Sequence, residues 1–182
     1  MNREAFAHVI RAAADVVKDE IVIVGSQAVL GSHGDPPPAL VRSLEVDVYP
    51  RSDPDRAHEI DGALGDGSQF HATYGYYAHG VGPETIVAPS GWEDRLVRLE
   101  FPAIRRADAP VIGWCLSFDD LVLAKLAAGR EHDLAFVEAA VREGMVDNDQ
   151  FSLGLELMPE GYREDVQTRM QHIRACVGGL SG

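Results

Sequence analysis

The sequence contains little of what builds disulfide or zinc frameworks. It has two cysteines in 182 residues, Cys115 and Cys176, which are too few and too far apart for a metal-ligand motif. A disulfide between them is one alternative, and two buried thiols in a reducing compartment is the preferred interpretation. His71 and His79 have no cysteine or histidine partner at zinc-ligand spacing, so neither predicts a zinc site.

Long apolar runs and basic residues are also scarce. No run approaches the length of a membrane span and the first residues lack a signal-peptide pattern, so we expect a cytoplasmic protein without membrane association. Lys and Arg number 16 against 29 Asp and Glu, which gives a formal charge of −13. This charge repels nucleic acid at long range and argues against broad DNA binding, while a local basic pocket for a triphosphate or an RNA end stays compatible with it.

Hydrophobic periodicity predicts an α+β fold. The composition, 46% hydrophobic and 25% charged over 182 residues, is that of one globular domain. We expect a small mixed β-sheet with flanking helices in a core at 1–116, and a helical C-terminal half at 117–182 packed on it as a single compact unit. Helices are predicted at 3–18, 53–64, 117–128, 131–143, 147–157 and 160–177, strands at 21–24, 44–49, 69–77, 84–88, 95–101 and 111–115, and a frayed end at 178–182.

The first candidate site lies where a strand turns into a helix. The β-branched run at 21–24 predicts a buried strand, and Gly25 with Ser26 ends it. Such a bend presents backbone N–H groups and a hydroxyl to an anion, and the missing Cβ of Gly25 lets a phosphate approach closely. The alternative is a plain strand-to-helix turn in which Ser26 is the N-cap.

The second candidate site is a pair of acidic residues on the strand at 44–49. Side chains alternate along a strand, so Glu45 and Asp47 share one face while Val46 and Val48 share the other. Two neighbouring carboxylates repel each other unless a cation lies between them, and oxygen ligands suit Mg²⁺. The alternative is the hydrated face of an edge strand.

Basic residues in two further segments could complete the site. Arg42 precedes the acidic strand and could pair with Glu45 or contact a phosphate oxygen. Lys125 lies in a helix that is apolar on all sides, where a lysine must be paired or open onto a cavity. Arg130 and Asp133 follow closely and could form an electrostatic cluster with Lys125 around phosphates. A purely structural Lys125–Asp133 ion pair is the alternative.

These motifs, in this order, resemble those of the DNA polymerase β-type nucleotidyltransferases. The resemblance rests on Gly25 and Ser26, on Glu45 and Asp47, and on the segment 120–133, which is similar to that of small bacterial nucleotidyltransferases related to the AbiEii abortive-infection toxins. It spans roughly residues 20 to 140. The first acid is Glu45 where the superfamily usually has Asp, and the additional methylene shifts the metal.

The resemblance implies a nucleotidyltransferase-like core and a Mg²⁺-dependent enzyme. Such an enzyme moves a nucleoside monophosphate from a nucleoside triphosphate (NTP) to an acceptor hydroxyl on an RNA end, a protein or a small molecule. It also implies a toxin role with an antitoxin as partner. The implied metal ligands are Glu45 and Asp47, the implied catalytic residues are Glu45, Asp47, Lys125 and Asp133, and the implied nucleotide-binding residues are Gly25, Ser26, Arg42 and Arg130.

Two points stay open at the level of sequence. Polymerase β-type enzymes carry a third carboxylate, for which Glu100 and Asp133 are the candidates. The alternative function is a catalytically degenerate fold that only binds a nucleotide or a protein, and an acidic scaffold without a ligand is a third hypothesis.

Overall fold

The structure, a computed structural model, describes residues 1–102 and 109–179. Five strands are present in these ranges: β1 (Ile21–Val24), β2 (Glu45–Pro50), β3 (Tyr77–Gly80), β4 (Val97–Phe101) and β5 (Val111–Cys115). The α-helices are α1 (Arg3–Val17), α2 (Val29–Ser32), α3 (Ala57–Leu64), α4 (Gln69–Tyr74), α5 (Phe118–Ala128), α6 (Glu131–Arg142), α7 (Asn148–Leu157) and α8 (Glu160–Gly179). Short 3-10 turns lie at Ser26–Ala28, Pro38–Leu40, Pro54–Arg56, Pro83–Thr85 and Trp92–Arg95.

The strands form one mixed sheet in the order β3-β2-β1-β5-β4. β1 pairs antiparallel with β2 and parallel with β5, β2 pairs parallel with β3, and β4 pairs antiparallel with β5. Helices flank this sheet, so the predicted α+β class with a mixed sheet is confirmed.

Local signals account for the elements that the sequence predicted well. Asn2 accepts a hydrogen bond from the backbone N–H of Ala5 at 2.8 Å and caps α1. The apolar stripe of α1 is buried, and β1 is buried along its whole length. Ser117 caps α5 by accepting from the N–H of Asp120, and Gly129 ends this helix in the left-handed conformation at φ 65°.

The prediction of strands at 69–77 and 84–88 was largely wrong. Residues 69–74 form α4, because Ser68 accepts a hydrogen bond from the N–H of His71 at 3.1 Å and caps a helix there. Only Tyr77–Gly80 pairs as a strand. Residues 83–85 form a 3-10 turn instead, in which the Thr85 hydroxyl donates back to the Gly82 carbonyl at 2.7 Å.

The C-terminal helices are where predicted, but their inward faces differ in detail. In α6 the buried face contains Phe136, Val137 and Ala140, whereas Leu134 and Val141 are only partly buried. Helix α8 runs on to Gly179, so the predicted frayed end was wrong for its first two residues, and 180–182 lie outside the described residues. The helical spacing of Tyr162, Val166, Met170, Ile173 and Val177 predicts one inward stripe on α8, but Tyr162 is 39% exposed.

Packing joins the sheet to the C-terminal helices. Buried side chains of β1 and of α5, such as Ile23 and Leu123, belong to one hydrophobic cluster. The division of the chain near residue 116 stays a prediction. None of the helices in the described ranges has the length and apolar character that crossing a membrane requires.

The cysteines are both free, but only one matches the prediction of two buried thiols. Cys115 is fully buried on β5, and burial raises the pKa of its thiol to about 12. Cys176 is exposed on α8, so the prediction was wrong for this thiol. The buried face of α8 contains Ile173, and Cys176 lies outside that face.

Candidate active site

A cleft of about 1260 Å³ lies between β2 and helices α5 and α6. The loop after β3, including Ile86 and Val87, forms another of its walls. All the site residues inferred from motifs line this cleft: Gly25, Ser26, Arg42, Glu45, Asp47, Lys125, Arg130 and Asp133. Residues that are 80 or more positions apart in the chain therefore meet in one place.

The Gly25 bend lies directly beside Asp47, one member of the acidic pair. Val24 is the cross-strand partner of Asp47 in the antiparallel β1–β2 pair. Gly25 has a φ of +64°, and a methyl group on it would lie 2.0 Å from Asp47 Oδ2. Gly25 precedes the 3-10 turn as its N-cap and Ser26 is the first residue of that turn, with no side-chain cap. The alternative in which Ser26 is the N-cap is thus not what the structure contains.

We expect Gly25→Ala to damage both the fold and the site. A Cβ at this position collides with the Asp47 carboxylate, and the positive φ is strained for any residue with a side chain. The expected loss is about 1–3 kcal/mol of unfolding free energy, measured by urea denaturation.

Gly62→Ala is the matched control for that measurement. Gly62 lies within α3, and a Cβ there meets nothing within 4 Å, so alanine should leave stability equal or higher by up to about 1 kcal/mol. Equal denaturation midpoints for the two alanine variants would contradict the close contact between Gly25 and Asp47.

Each acidic side chain has a partner on the neighbouring strand β3. The parallel register places Glu45 opposite Tyr77 and Asp47 opposite His79. The Tyr77 hydroxyl donates to Glu45 Oε2 at 2.9 Å, and His79 Nδ1 lies 3.0 Å from Asp47 Oδ1. Neither partner is predicted by the sequence motifs, although Tyr77 and His79 have the same spacing of two residues as Glu45 and Asp47.

The electrostatics of the pair are unfavourable without a cation. Burial raises the pKa of Asp47, and repulsion from Glu45 raises it further, while His79 and Lys125 act in the opposite direction. Glu45 Oε1 and Asp47 Oδ2 accept no hydrogen bond from the residues that the structure describes. Two carboxylate oxygens are therefore available to a cation in the cleft.

A buried ion-pair cluster forms the opposite wall. Lys125 Nζ and Arg130 Nε each donate to Asp133, to Oδ1 and Oδ2 respectively, both at 2.6 Å. Burial alone would raise the pKa of Asp133, but these hydrogen bonds outweigh it and hold the pKa below its ordinary value. The structure thus contains the Lys125–Asp133 ion pair that was the structural alternative, and Lys125 still lines the cleft.

Neither Asp133 nor Glu100, the two candidates for a third carboxylate, is in a position to act beside Glu45 and Asp47. Both oxygens of Asp133 are engaged by cations. Glu100 lies on β4, three strands from β2, half exposed and paired with Arg98 at 3.2 Å. Strand spacing puts it about 14 Å from the acidic strand. Neither residue joins Glu45 and Asp47 as a free carboxylate.

Arg42 differs from the other cations of the cleft. Among the described residues its guanidinium has neither an ion pair nor a hydrogen bond, so the proposed pairing with Glu45 does not occur. Lys125 and Arg130 pair with Asp133, and Arg142 pairs with Glu138 at 2.5 Å. Arg42 therefore offers an uncompensated positive charge to an anionic ligand.

The donor set fits a hard cation that completes its shell with substrate. No cluster of three or more histidine, cysteine or acidic side chains suited to a metal occurs in the part of the chain described. Two carboxylates with free oxygens are nevertheless the usual protein contribution to a Mg²⁺ site, in which phosphates and water supply the other ligands.

A mixed sheet with a glycine bend beside paired carboxylates and a basic wall defines the class of the protein as a nucleotidyltransferase fold. Residues 4–170 match the family model described as "Nucleotidyltransferase of unknown function (DUF6036)", and the chain belongs to this family. Comparison with curated proteins and with solved structures gave no match in either case.

Proposed function

We propose that the protein is a Mg²⁺-dependent nucleotidyltransferase that moves a nucleoside monophosphate from an NTP to an acceptor hydroxyl. One observation carries this proposal: the Gly25 bend, the Glu45–Asp47 pair and the basic wall of Lys125 and Arg130 line the same cleft. Membership of a nucleotidyltransferase family supports the reaction class.

The chain's own residues divide the work of binding a triphosphate. The backbone around Gly25 and Ser26 offers N–H donors where a phosphate can come close. Arg42 has no counter-ion among the residues that the structure describes, and the Lys125–Arg130–Asp133 cluster carries one net positive charge, so both attract phosphate oxygens. With these contacts in place, the acceptor oxygen would form its bond to the α-phosphorus as the bond from that phosphorus to pyrophosphate breaks, and the hydroxyl proton would pass to solvent.

The acidic pair would hold the metal. Glu45 and Asp47 would hold Mg²⁺ through the carboxylate oxygens that carry no hydrogen bond from the described residues, and the ion would supply charge neutralisation at the phosphates. Phosphoryl transfer of this kind depends on position and charge, and needs no covalent nucleophile from the protein.

The charge distribution favours a compact anion over a long nucleic acid. The chain carries −13 overall, but the cleft lining has four basic residues and four acidic ones: Arg42, Lys125, Arg130 and Arg142 against Glu45, Asp47, Asp133 and Glu138. The lining therefore presents no net negative charge to a triphosphate. The acceptor remains an RNA end, a protein or a small molecule.

The similarity of segment 120–133 to AbiEii-related enzymes supports a role as the toxin of a cytoplasmic toxin–antitoxin pair. An antitoxin would then be the protein partner, and a small gene adjacent to the coding sequence is the simplest observation that supports it. The absence of such a gene would remove the support for this role without affecting the chemistry.

Thermal denaturation with Mg²⁺ and each NTP tests nucleotide binding, and pyrophosphate release tests transfer. We expect one NTP to raise the melting temperature only when Mg²⁺ is present, by several degrees at saturating ligand. Pyrophosphate should then appear when a cellular RNA or protein extract supplies acceptors. A thermal shift without pyrophosphate would replace the enzyme by a nucleotide-binding module, and no shift at all would exclude both.

A further inference from the structure

Tyr77 and His79 are two polar residues beside the acidic pair that the motifs did not predict. They lie on β3 in register with Glu45 and Asp47 on β2. We propose that Tyr77 and His79 are positioning residues, which fix one oxygen of each carboxylate so that the other oxygen is held ready for a divalent cation. This inference rests on the proposed function of the same cleft.

The parallel register of β2 and β3 places one polar side chain of β3 beside each acidic side chain of β2. Neighbouring strands lie about 4.8 Å apart, so side chains in register on one face are within hydrogen-bonding reach. Tyr77 Oη donates a hydrogen bond to Glu45 Oε2 at 2.9 Å, and His79 Nδ1 is hydrogen-bonded to Asp47 Oδ1 at 3.0 Å. The β2–β3 pairing thus supplies one donor to each carboxylate, and each acid keeps one oxygen without a hydrogen bond from the described residues.

Tyr77 is itself held in place from outside the cleft. Its ring lies 4.7 Å from that of His71, and His71 Nδ1 lies 2.9 Å from Asp66 Oδ1. Tyr77 is absent from the cleft lining while Glu45 is part of it. Burial, with the hydrogen bond to Glu45 next, raises the pKa of Tyr77 to about 12, so the hydroxyl stays a donor at neutral pH.

The hydrogen bond to Tyr77 explains how a glutamate can serve at position 45. Glutamate has one more rotatable bond than aspartate, so a free Glu45 would leave its carboxylate poorly placed. The Tyr77 hydroxyl removes that freedom. Aspartate at position 45 would withdraw the carboxylate by about 1.5 Å and lose this contact.

Titration of the metal-free 182-residue chain with MnCl₂ tests the proposal, because Mn²⁺ accepts the same oxygen ligands as Mg²⁺. Tyr77→Phe removes the hydroxyl and keeps the ring. We expect it to weaken Mn²⁺ binding by about 10–100-fold, the usual cost of losing a partner of a metal ligand. His79→Leu should weaken binding similarly, and His79→Asn, whose amide can donate to Asp47, should restore most of the affinity.

Tyr76→Phe is the matched control. The Tyr76 hydroxyl is hydrogen-bonded to His8 Nδ1 at 2.8 Å, and Tyr76 is not part of the cleft lining. Its loss removes one tyrosine hydrogen bond without touching an acidic residue, so Mn²⁺ affinity should stay within about twofold of the wild type. A second test uses the Glu45→Asp background, in which Tyr77→Phe should cause no further loss because the contact is already broken.

The outcomes separate this inference from the proposed function. Unchanged Mn²⁺ affinity in Tyr77→Phe and His79→Leu overturns the positioning role, even if pyrophosphate release shows the protein to be an enzyme. Failure of the wild type to bind Mn²⁺ at millimolar concentration also overturns it. Loss of affinity in these two variants, with Tyr76→Phe unaffected, supports it whether or not an acceptor is known.

Discussion

Asp47→Asn is expected to stabilise the metal-free protein and to abolish its nucleotidyl transfer. The wild-type carboxylate is largely buried and lies beside Glu45, and both conditions raise the pKa of Asp47. Asparagine has nearly the same shape and its carbonyl can still accept from His79 Nδ1. The substitution therefore removes the unfavourable charge without opening a cavity.

The pH dependence of this stabilisation has a definite sign. A raised folded-state pKa means that the folded protein binds the proton more tightly than the unfolded chain does. Stability is thus lost as the pH rises above the ordinary Asp value of 3.8 and through the raised folded pKa. The advantage of Asp47→Asn should be complete at neutral pH and should shrink as the pH falls toward that ordinary value.

The expected stabilisation by Asp47→Asn follows from the usual gain when an unfavourable charge is removed. About 1 kcal/mol of added stability raises the melting temperature of a chain of this length by about 2–4 °C. The thermal shift on adding Mg²⁺ and NTP should disappear, since an amide is a poor substitute for a carboxylate ligand. Pyrophosphate release should fall by at least about 10³-fold, the scale for losing a principal electrostatic contact of a transition state.

Glu100→Gln is the matched control for charge removal. Glu100 is a half-exposed carboxylate on β4, paired only with Arg98 among the described side chains. Its neutralisation should change neither the metal-dependent shift nor the transfer rate. A metal-free Asp47→Asn protein less stable than the wild type, or one that still releases pyrophosphate, would contradict the account of the acidic pair.

The parts of the site that the sequence predicted are those encoded locally. The β-branched run of β1, the bend at Gly25 and the alternation of Glu45 and Asp47 with buried valines are each visible within a few residues. Lys125 was recognisable because its helix is apolar all round and has to bury a charge. Local pattern and fold agree at these positions.

The parts that the sequence did not predict depend on pairing between distant strands. Tyr77 and His79 acquire their partners only because β3 lies parallel to β2, a register that no local pattern specifies. The strand predicted at 69–77 failed for a different reason, which is local. Aromatic residues favour strands in general, but the Ser68 cap starts a helix and Gly75 ends it.

Asp133→Ala is expected to cause a large loss of stability. The Asp133 side chain is fully buried and the Lys125 side chain is 7% exposed, so alanine leaves the lysine ammonium buried without a counter-ion. Breaking such a pair from one side costs about 3–5 kcal/mol, which corresponds to a fall in melting temperature of about 10 °C. The half-exposed Arg130 can turn to solvent and should add little to this loss.

Removing both charges together tests whether stability depends on the buried ion pair itself or only on the absence of an unpaired buried charge. Lys125→Met with Asp133→Leu replaces the pair by apolar side chains of similar volume, and such replacements are often neutral or stabilising. The double variant should therefore be more stable than Asp133→Ala. It should nevertheless have lost nucleotidyl transfer, because the cleft lacks Lys125. The double variant thus separates two roles of Lys125, because stability recovers while nucleotidyl transfer does not.

Asp165→Ala provides the baseline for the loss of an ion pair. Asp165 is 67% exposed and lies 3.4 Å from Arg169 on the same helix, where a pair contributes under about 0.5 kcal/mol. Because hydrogen bonds hold the Asp133 pKa below its ordinary value, the stability from this carboxylate is present at neutral pH and lost as the pH falls. Equal urea midpoints for Asp133→Ala and Asp165→Ala at neutral pH would mean that Lys125 is not anchored by Asp133. The lysine would then have to be stabilised from the cleft side, where a bound phosphate is the expected partner.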